Sequence, residues 1–400
     1  MGLPDKTEIL IAGGGIVGLT LARELAKRGA SDILILEKED SLGKHASGRN
    51  SGVLHSGIYY APDSFKARFC MQGNMLLKDY CRERGLPLDE CGKVIVTRDE
   101  EENRTLKELY ERSVANGAKV ALIDEKELAE IEPNAKTCER ALYSHNTAVV
   151  DPKKILASLK EELTASGKVR IELGTSFIGP RGSSAAKTSK GEIKFGLFIN
   201  SAGAYSDRIA HSFGIAGKYI LVPFKGTYKK LRSDRNALVR GNIYPVPDIR
   251  NPFLGVHFTK NISGEIYMGP TAIPALGREN YSLLGGLGGE SLEVLYRDIL
   301  LFLSNPKFRK IALTEPRKYL ASAFFKDAKS LVKELKPSDV VPSDKAGIRP
   351  QLVDWEKKEL VMDFIVLKDG TSLHILNAIS PAFTCSMAFS EFVAKEYIMN

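Results

Sequence analysis

Gly13-x-Gly15-x-x-Gly18, followed by Glu37, is the set whose types and spacing announce a chemistry in this chain of 400 residues. Glycines at that spacing let the backbone turn sharply, approach a pyrophosphate closely and pack a helix against a strand. The free N–H groups and positive dipole end of such a helix then face the phosphates. Glu37 stands nineteen residues after Gly18, where a carboxylate accepts hydrogen bonds from a ribose. The chemistry is dinucleotide binding.

The elements that must position these residues are legible around them. Ile9, Leu10 and Ile11 form a short apolar strand, and Val17, Leu21 and Leu25 follow a helical period after the glycine turn. Ile33 to Leu36 make the next buried strand, ending at Glu37. Residues 41–68 are rich in glycine, serine and polar side chains and read as a functional loop, in which Gly48, Gly52 and Gly57 allow close approach to a flat ligand. A helix is expected over 66–84 with Met71, Met75 and Leu76 as its core face, a strand over 93–99 and an amphipathic helix over 101–117.

Asp151-Pro152 opens a further helix that runs to Gly167, and 169–173 follows as a strand. Residues 174–192 read as a hairpin loop. The segment 193–210 repeats the strand, small-residue turn and helix theme, with Asn200, Ala202 and Gly203 where backbone passes a ligand or an ordinary αβ junction forms. From 219 to 275 the pattern is β, broken by turns such as 261–264. The cluster 285–289 reads as a loop and 291–336 as helical, with ten basic side chains on a solvated face or a peripheral membrane surface. The tail holds a hairpin turning at Asp369-Gly370, a turn at Ser380-Pro381 and a final helix whose N-terminus is a second anion-stabilising dipole.

Composition bounds the rest. At 43% apolar and 26% charged, the chain is globular, and no run is long enough to span a bilayer. Its N-terminus enters the first strand too soon for a targeting peptide, so the expected compartment is the cytoplasm or the cytoplasmic membrane face. Five cysteines without a CxxC pair argue for reduced thiols and against a disulfide framework or a metal site. A net charge of +8 favours anionic small molecules or an anionic membrane surface. No aromatic and basic nucleic-acid module is visible, and no nucleic-acid partner is expected.

Only one dinucleotide fingerprint is present. If it holds FAD, electrons come directly from the substrate; if it holds NAD, a dehydrogenase follows. The stretches 47–60 (SGRNSGVLHSGIYY), 200–210 (NSAGAYSDRIA), 222–228 (VPFKGTY) and 346–350 (AGIRP) resemble the D-amino-acid-oxidase-like superfamily of FAD enzymes. Within it, 241–259 (GNIYPVPDIRNPFLGVHFT) and 269–281 (GPTAIPALGRENY) resemble the L-2-hydroxyglutarate dehydrogenase family. The resemblance implies an α/β fold, α+β overall: a Rossmann-like FAD-binding domain from 1–80, 150–215 and 345–400, and a β-rich antiparallel substrate domain from 81–149 and 216–344. It implies oxidation of L-2-hydroxyglutarate to 2-oxoglutarate, the hydride leaving C2 for flavin N5, with reoxidation by a quinone or oxygen. The alternatives are oxidation of an amino acid or glycerol-3-phosphate, or a flavin-binding protein without catalysis.

Such chemistry needs a base for the hydroxyl proton, and a histidine supplies roughly 10²- to 10⁴-fold. Of six histidines, His55 and His257 lie in the resembling stretches, and His55 is favoured. Arg349 corresponds to the arginine that holds a substrate carboxylate in related oxidases, and Lys225 is expected to hold the second carboxylate. Tyr59, Tyr60, Tyr228 and Tyr244 are candidate hydroxyl donors. For FAD the candidates are Gly13, Gly15, Gly18, Glu37, Lys38, Arg49, Asn50, Ser51, Gly52, Ala202, Gly203, Arg349 and the turn Pro381, Ala382, Phe383 and Thr384. Phe383 departs from the family pattern, which has a small residue there; its bulk bears on substrate size and on oxygen access.

Overall fold

A computed structural model describes residues 2–247, 253–282, 285–286 and 288–399. Part of the resembling stretch 241–259, namely 248–252, lies outside the described residues, as does position 287 of the glycine cluster. By contacts the chain forms two compact units: Met1–Asn50, Pro152–Pro223 and Arg349–Asn400 make the first, and Ser51–Asp151 with Phe224–Ile348 the second. Residues 51–80, expected with the nucleotide domain, fall in the second unit. There Val53–Leu54 pairs antiparallel with Ala148–Val150, which ties the segment locally.

The first unit is built on parallel strands. Lys6–Ala12 lies between Ile33–Leu36 and Gly191–Asn200, with Val169–Glu172 outside Ile33–Leu36 and Ser372–Leu376 beside Gly191–Asn200, all parallel. Ile33–Leu36 is buried at every position, as a strand covered on both faces must be. The antiparallel strands Phe177–Arg181 and Ala185–Thr188 extend the sheet, so 174–192 is a true hairpin. Helix Ile16–Lys27 packs on the C-terminal helix Ala382–Val393, where the Thr20 and Ser390 hydroxyls are 2.9 Å apart. The chain's head, middle and tail thus share one core.

The second unit is organised by a mixed sheet in the order Tyr219–Leu231, Ile266–Gly269, His257–Lys260, Asn242–Pro245, Lys93–Val96, Arg140–Ser144, Val120–Asp124. One face of it is apolar: Val94, Val96, Ile243, Phe258, Ile266 and Met268 join a single core cluster with Phe324 and Leu331. Strand side chains alternate between faces. Lys93, Tyr244, His257, Thr259 and Tyr267 therefore share the opposite face, with Ile95 paired to Tyr244 in register.

Two helical expectations need correction. Helix Phe65–Glu83 buries Cys70, Gly73, Asn74, Leu77, Tyr80 and Cys81, whereas Met75 is 55% exposed and Met71 and Leu76 only half-buried. The helical period is present but the buried face is rotated from the expected one, because Asn74 is buried by polar contact, its amide donating to the carbonyls of Leu54, His55 and Asn146. The segment 291–336 is not continuous helix. It begins earlier, at Gly289–Ser304, restarts as Pro306–Thr314 with Asn305 capping Phe308 N at 2.8 Å, and its last α-helix is Ala321–Lys329. Gly289 of the expected loop is thereby the first helical residue.

Candidate functional site

In the first unit the glycine turn is built as dinucleotide binding requires. Gly13 has φ +109°, and a Cβ there would lie 2.6 Å from Ser201 O; a Cβ on Gly18 would lie 2.1 Å from Gly13 O. Only hydrogen fits at either position. Gly15 stands immediately before the helix Ile16–Lys27, and the next N–H, of Ile16, donates to Ser47 Oγ at 3.0 Å. Glu37 sits at the end of its strand, one oxygen accepting from Gly14 N (3.1 Å) and the other from Glu39 N (2.9 Å). Across the strand ends, Ser201 N donates to Ala12 O, and the Asn200 carboxamide orders Ala202 N and Ser206 O. Gly203 (φ +54°) begins the short turn that follows.

Lys38 pairs with Glu39 and lies 2.9 Å from His45 Nε2 and 5.5 Å from the Tyr205 ring centroid. Its hydrogen bond, then that of His45, holds the Glu39 carboxyl down to about 2. Arg49 donates to Lys44 O at 2.6 Å, and Asn50 to Ser47 O at 2.8 Å. Arg349 is half-buried, its Nε 3.4 Å from the buried Gln351 amide oxygen. At the last helix Pro381, Ala382 and Thr384 are buried and Phe383 half-buried. A glycine cradle that a Cβ would fill, at a helix start with an acid beside it, fits a dinucleotide.

The second unit gathers a different chemistry. The ring of His257 stacks on that of Tyr244, with centroids 3.9 Å apart. His257 Nδ1 lies 2.8 Å from Gly255 O. A carbonyl only accepts, so Nδ1 carries the hydrogen and Nε2 is a bare acceptor. Burial first, then the positive charge of Lys93, lowers His55 to about 3; burial also leads the lowering of His257 to about 3, opposed by its bond to Gly255. Both imidazoles are neutral at physiological pH. Burial raises the phenols too, Tyr244 to about 12 and Tyr59 and Tyr228 beyond the ordinary range. These hydroxyls are donors held protonated.

Of the expected substrate residues, His55, His257, Tyr59, Tyr228 and Tyr244 belong to this cluster. Tyr60 is half-buried nearby in sequence, its carbonyl accepting from Asn116. Ser51 Oγ and Gly52 O are used in the local turn, accepting from Val53 N and Val150 N. Lys225 is not brought to the cluster. Two-residue alternation places it with Thr227 and Lys229, opposite Tyr228, and its ammonium donates to Asn280 Oδ1 (3.1 Å) and Ser282 O (3.0 Å).

Sequence reasoning passes over Lys93, the first residue of the strand Lys93–Val96 and 1% exposed. Its Nζ lies 4.7 Å from the Tyr59 ring centroid and 4.9 Å from that of Tyr244. The available signal was the alternation itself, which puts a lysine on the same face as Ile95.

The profile of the family described as DAO, FAD dependent oxidoreductase, matches residues 8–396. The chain belongs to that family. It is 37% identical over 412 residues to human mitochondrial L-2-hydroxyglutarate dehydrogenase, a match covering 97% of this chain and 88% of that one. It is 35% identical over 402 residues to the L-2-hydroxyglutarate dehydrogenase of the bacterium Indibacter alkaliphilus, covering 97% and 98%. Membership with these relatives makes the chain an FAD-dependent oxidoreductase. The fold is shared with L-α-glycerophosphate oxidase of Mycoplasma pneumoniae, solved with FAD bound (TM-score 0.75, 21% identity, 98% of this chain and 94% of that one). Glycine oxidase of Geobacillus kaustophilus shares it too (TM-score 0.68, 18% identity, 98% and 94%). Among the described residues no helix is long and apolar enough to cross a membrane.

Proposed function

We propose that this protein oxidises L-2-hydroxyglutarate to 2-oxoglutarate. The observation that carries the reading is the cluster of neutral imidazoles and protonated phenols around Tyr244, with the Lys93 ammonium against it; the Glu265 carboxylate, farther along the same sheet face, is engaged by Lys230 and Tyr267. Such a cluster accepts an anionic hydroxy acid and repels nothing in it. Bound FAD supplies the hydride acceptor, and the first unit's glycine turn, Glu37 and the start of Ile16–Lys27 are the residues suited to hold it.

The chain's own part is proton handling and orientation. The C2 hydroxyl proton passes to a neutral imidazole, and the tautomer fixed by Gly255 O makes His257 Nε2 the prepared acceptor, with His55 beside it as the second candidate. Tyr59, Tyr228 and Tyr244 offer hydroxyl donors to substrate oxygens. Arg349, a planar fork, is suited to a carboxylate. Lys225, occupied with Asn280 and Ser282, serves the loop instead.

Transfer of the electrons to a membrane quinone fits one surface feature. Leu292, Leu295, Tyr296, Ile299 and Leu303 form an exposed stripe on helix Gly289–Ser304, with Leu292 74% and Leu303 66% exposed. Exposed Lys307, Arg309, Lys310 and Arg317 follow it. An apolar helical stripe flanked by cations suits a peripheral seat on anionic lipid. Co-sedimentation with anionic and neutral vesicles tests this; binding to neither sets the membrane aside.

Anaerobic mixing of the FAD-loaded protein with L-2-hydroxyglutarate, its D-enantiomer, glycerol-3-phosphate and glycine tests the activity. Bleaching of the flavin by the L-hydroxy acid alone is expected, and its absence overturns the reading.

A further inference from the structure

The ammonium of Lys93 is buried in the second unit with no acid beside it. The titratable groups that face it are His55 and Tyr59 from the 55–60 segment, Cys70 from helix Phe65–Glu83, and Tyr244 and His257 from the neighbouring strands. Among the described residues none is a carboxylate, and no hydrogen bond is made to the ammonium. Burying such a cation is costly, and two aromatic faces return only part of the cost. Beside it the Tyr59 hydroxyl is buried and has no hydrogen-bond partner among the described residues. A cation and a donor, both enclosed, lack the same thing, an anionic acceptor.

We propose that Lys93 receives a carboxylate of the substrate, which docks on the ammonium between Tyr59 and Tyr244 and accepts from the Tyr59 hydroxyl. The inference rests on the dicarboxylate reading above and gives one carboxylate a place that Lys225 does not provide. Two consequences follow. Burial holds Lys93 down to about 7 in the free protein. A carboxylate binds the protonated form, so binding above that pH must draw a proton in, and affinity falls by up to about tenfold per pH unit as pH rises. The docked anion also cancels the Lys93 charge that helps to hold His55 and His257 low. Substrate binding thereby makes the base stronger as the hydroxyl arrives.

The test is calorimetric titration of the FAD-loaded protein with 2-oxoglutarate and, separately, succinate, in two buffers of different ionisation enthalpy, near pH 6 and near pH 8. The wild-type protein is expected to take up close to one proton per ligand at the higher pH and to bind about tenfold more weakly there. Lys93→Met is expected to bind at least about tenfold more weakly near pH 6 and to lose the uptake; Lys93→Arg is expected to keep binding and lose the pH dependence, because arginine stays charged. In the free protein His55, His257 and the phenols lie outside this range, and Asp298, also raised to about 7 on another helix, is unchanged in the variants. Absence of uptake by the wild-type protein at the higher pH, or unchanged affinity in Lys93→Met, overturns the proposal. The wild-type arm needs no variant to fold. Flavin bleaching by L-2-hydroxyglutarate in the same preparation judges the activity separately: uptake with succinate but no bleaching keeps the anion site and rejects the substrate.

Discussion

His257 stacks on Tyr244 with ring centroids 3.9 Å apart and planes inclined by 28°. The phenol ring fixes the plane of the imidazole, Gly255 O fixes its tautomer, and burial keeps it neutral. One side chain thus acquires its orientation from one neighbour, its lone pair from another and its protonation state from burial.

His257→Gln is expected to lower kcat by roughly 10²- to 10⁴-fold with KM changed much less, if His257 Nε2 takes the hydroxyl proton. Stopped-flow reduction of the flavin measures the step directly. A larger loss in His55→Gln than in His257→Gln would transfer the role to His55.

Tyr244→Phe keeps the ring against His257 and Lys93, whereas Tyr244→Ala removes it from a fully buried position. The alanine variant should lose about 3–5 kcal/mol of stability and the phenylalanine variant far less. Urea unfolding of both proteins distinguishes packing from hydroxyl chemistry.

Lys225→Met leaves Asn280 Oδ1 without its donor and takes one of two donors from Ser282 O, which still accepts from Asn280 Nδ2. A loss of about 1–3 kcal/mol in stability is expected, with KM for the hydroxy acid little changed. A large rise in KM at unchanged stability would restore Lys225 as a carboxylate clamp.

Gly18→Ala drives a methyl group to 2.1 Å from Gly13 O, a backbone atom that moves only with the whole turn. The purified variant is expected to carry less than about a tenth of the wild-type flavin, since displacement of the turn by a few kcal/mol suffices for that. The ratio of flavin to protein absorbance reports it.

Glu39 supplies a pH signature in the first unit. Its carboxyl is held down to about 2 from an ordinary 4.5 by the hydrogen bond of Lys38 and then of His45. A depressed carboxyl stabilises the fold above its unfolded value, and the contribution is lost as pH falls from about 4.5 through about 2. Glu39→Gln should flatten stability against pH in that window, as read by denaturant unfolding at each pH.

Local signals determined much of this protein. The glycine triplet, the apolar strand before it and the helical period after it specify the dinucleotide turn within thirty-odd residues, because each is a short-range demand of backbone geometry. The same holds for the hairpin at 369–370 and for the strands around 219–275. Family membership was legible in the stretches around His55, Gly203 and Arg349. What depends on long-range pairing was not. The phase of helix Phe65–Glu83 was decided by carbonyls as distant as Asn146, which satisfy Asn74 and bury its face. Lys225 reads as a free cation until Asn280 and Ser282 arrive, 55 and 57 residues later. Lys93 reads as an ordinary strand end until the parallel pairing with Asn242–Pro245 lays Tyr244 over it and a separate segment brings Tyr59. Burial and charge environment are properties of the assembled sheet, and only the tertiary structure turns that lysine into a site.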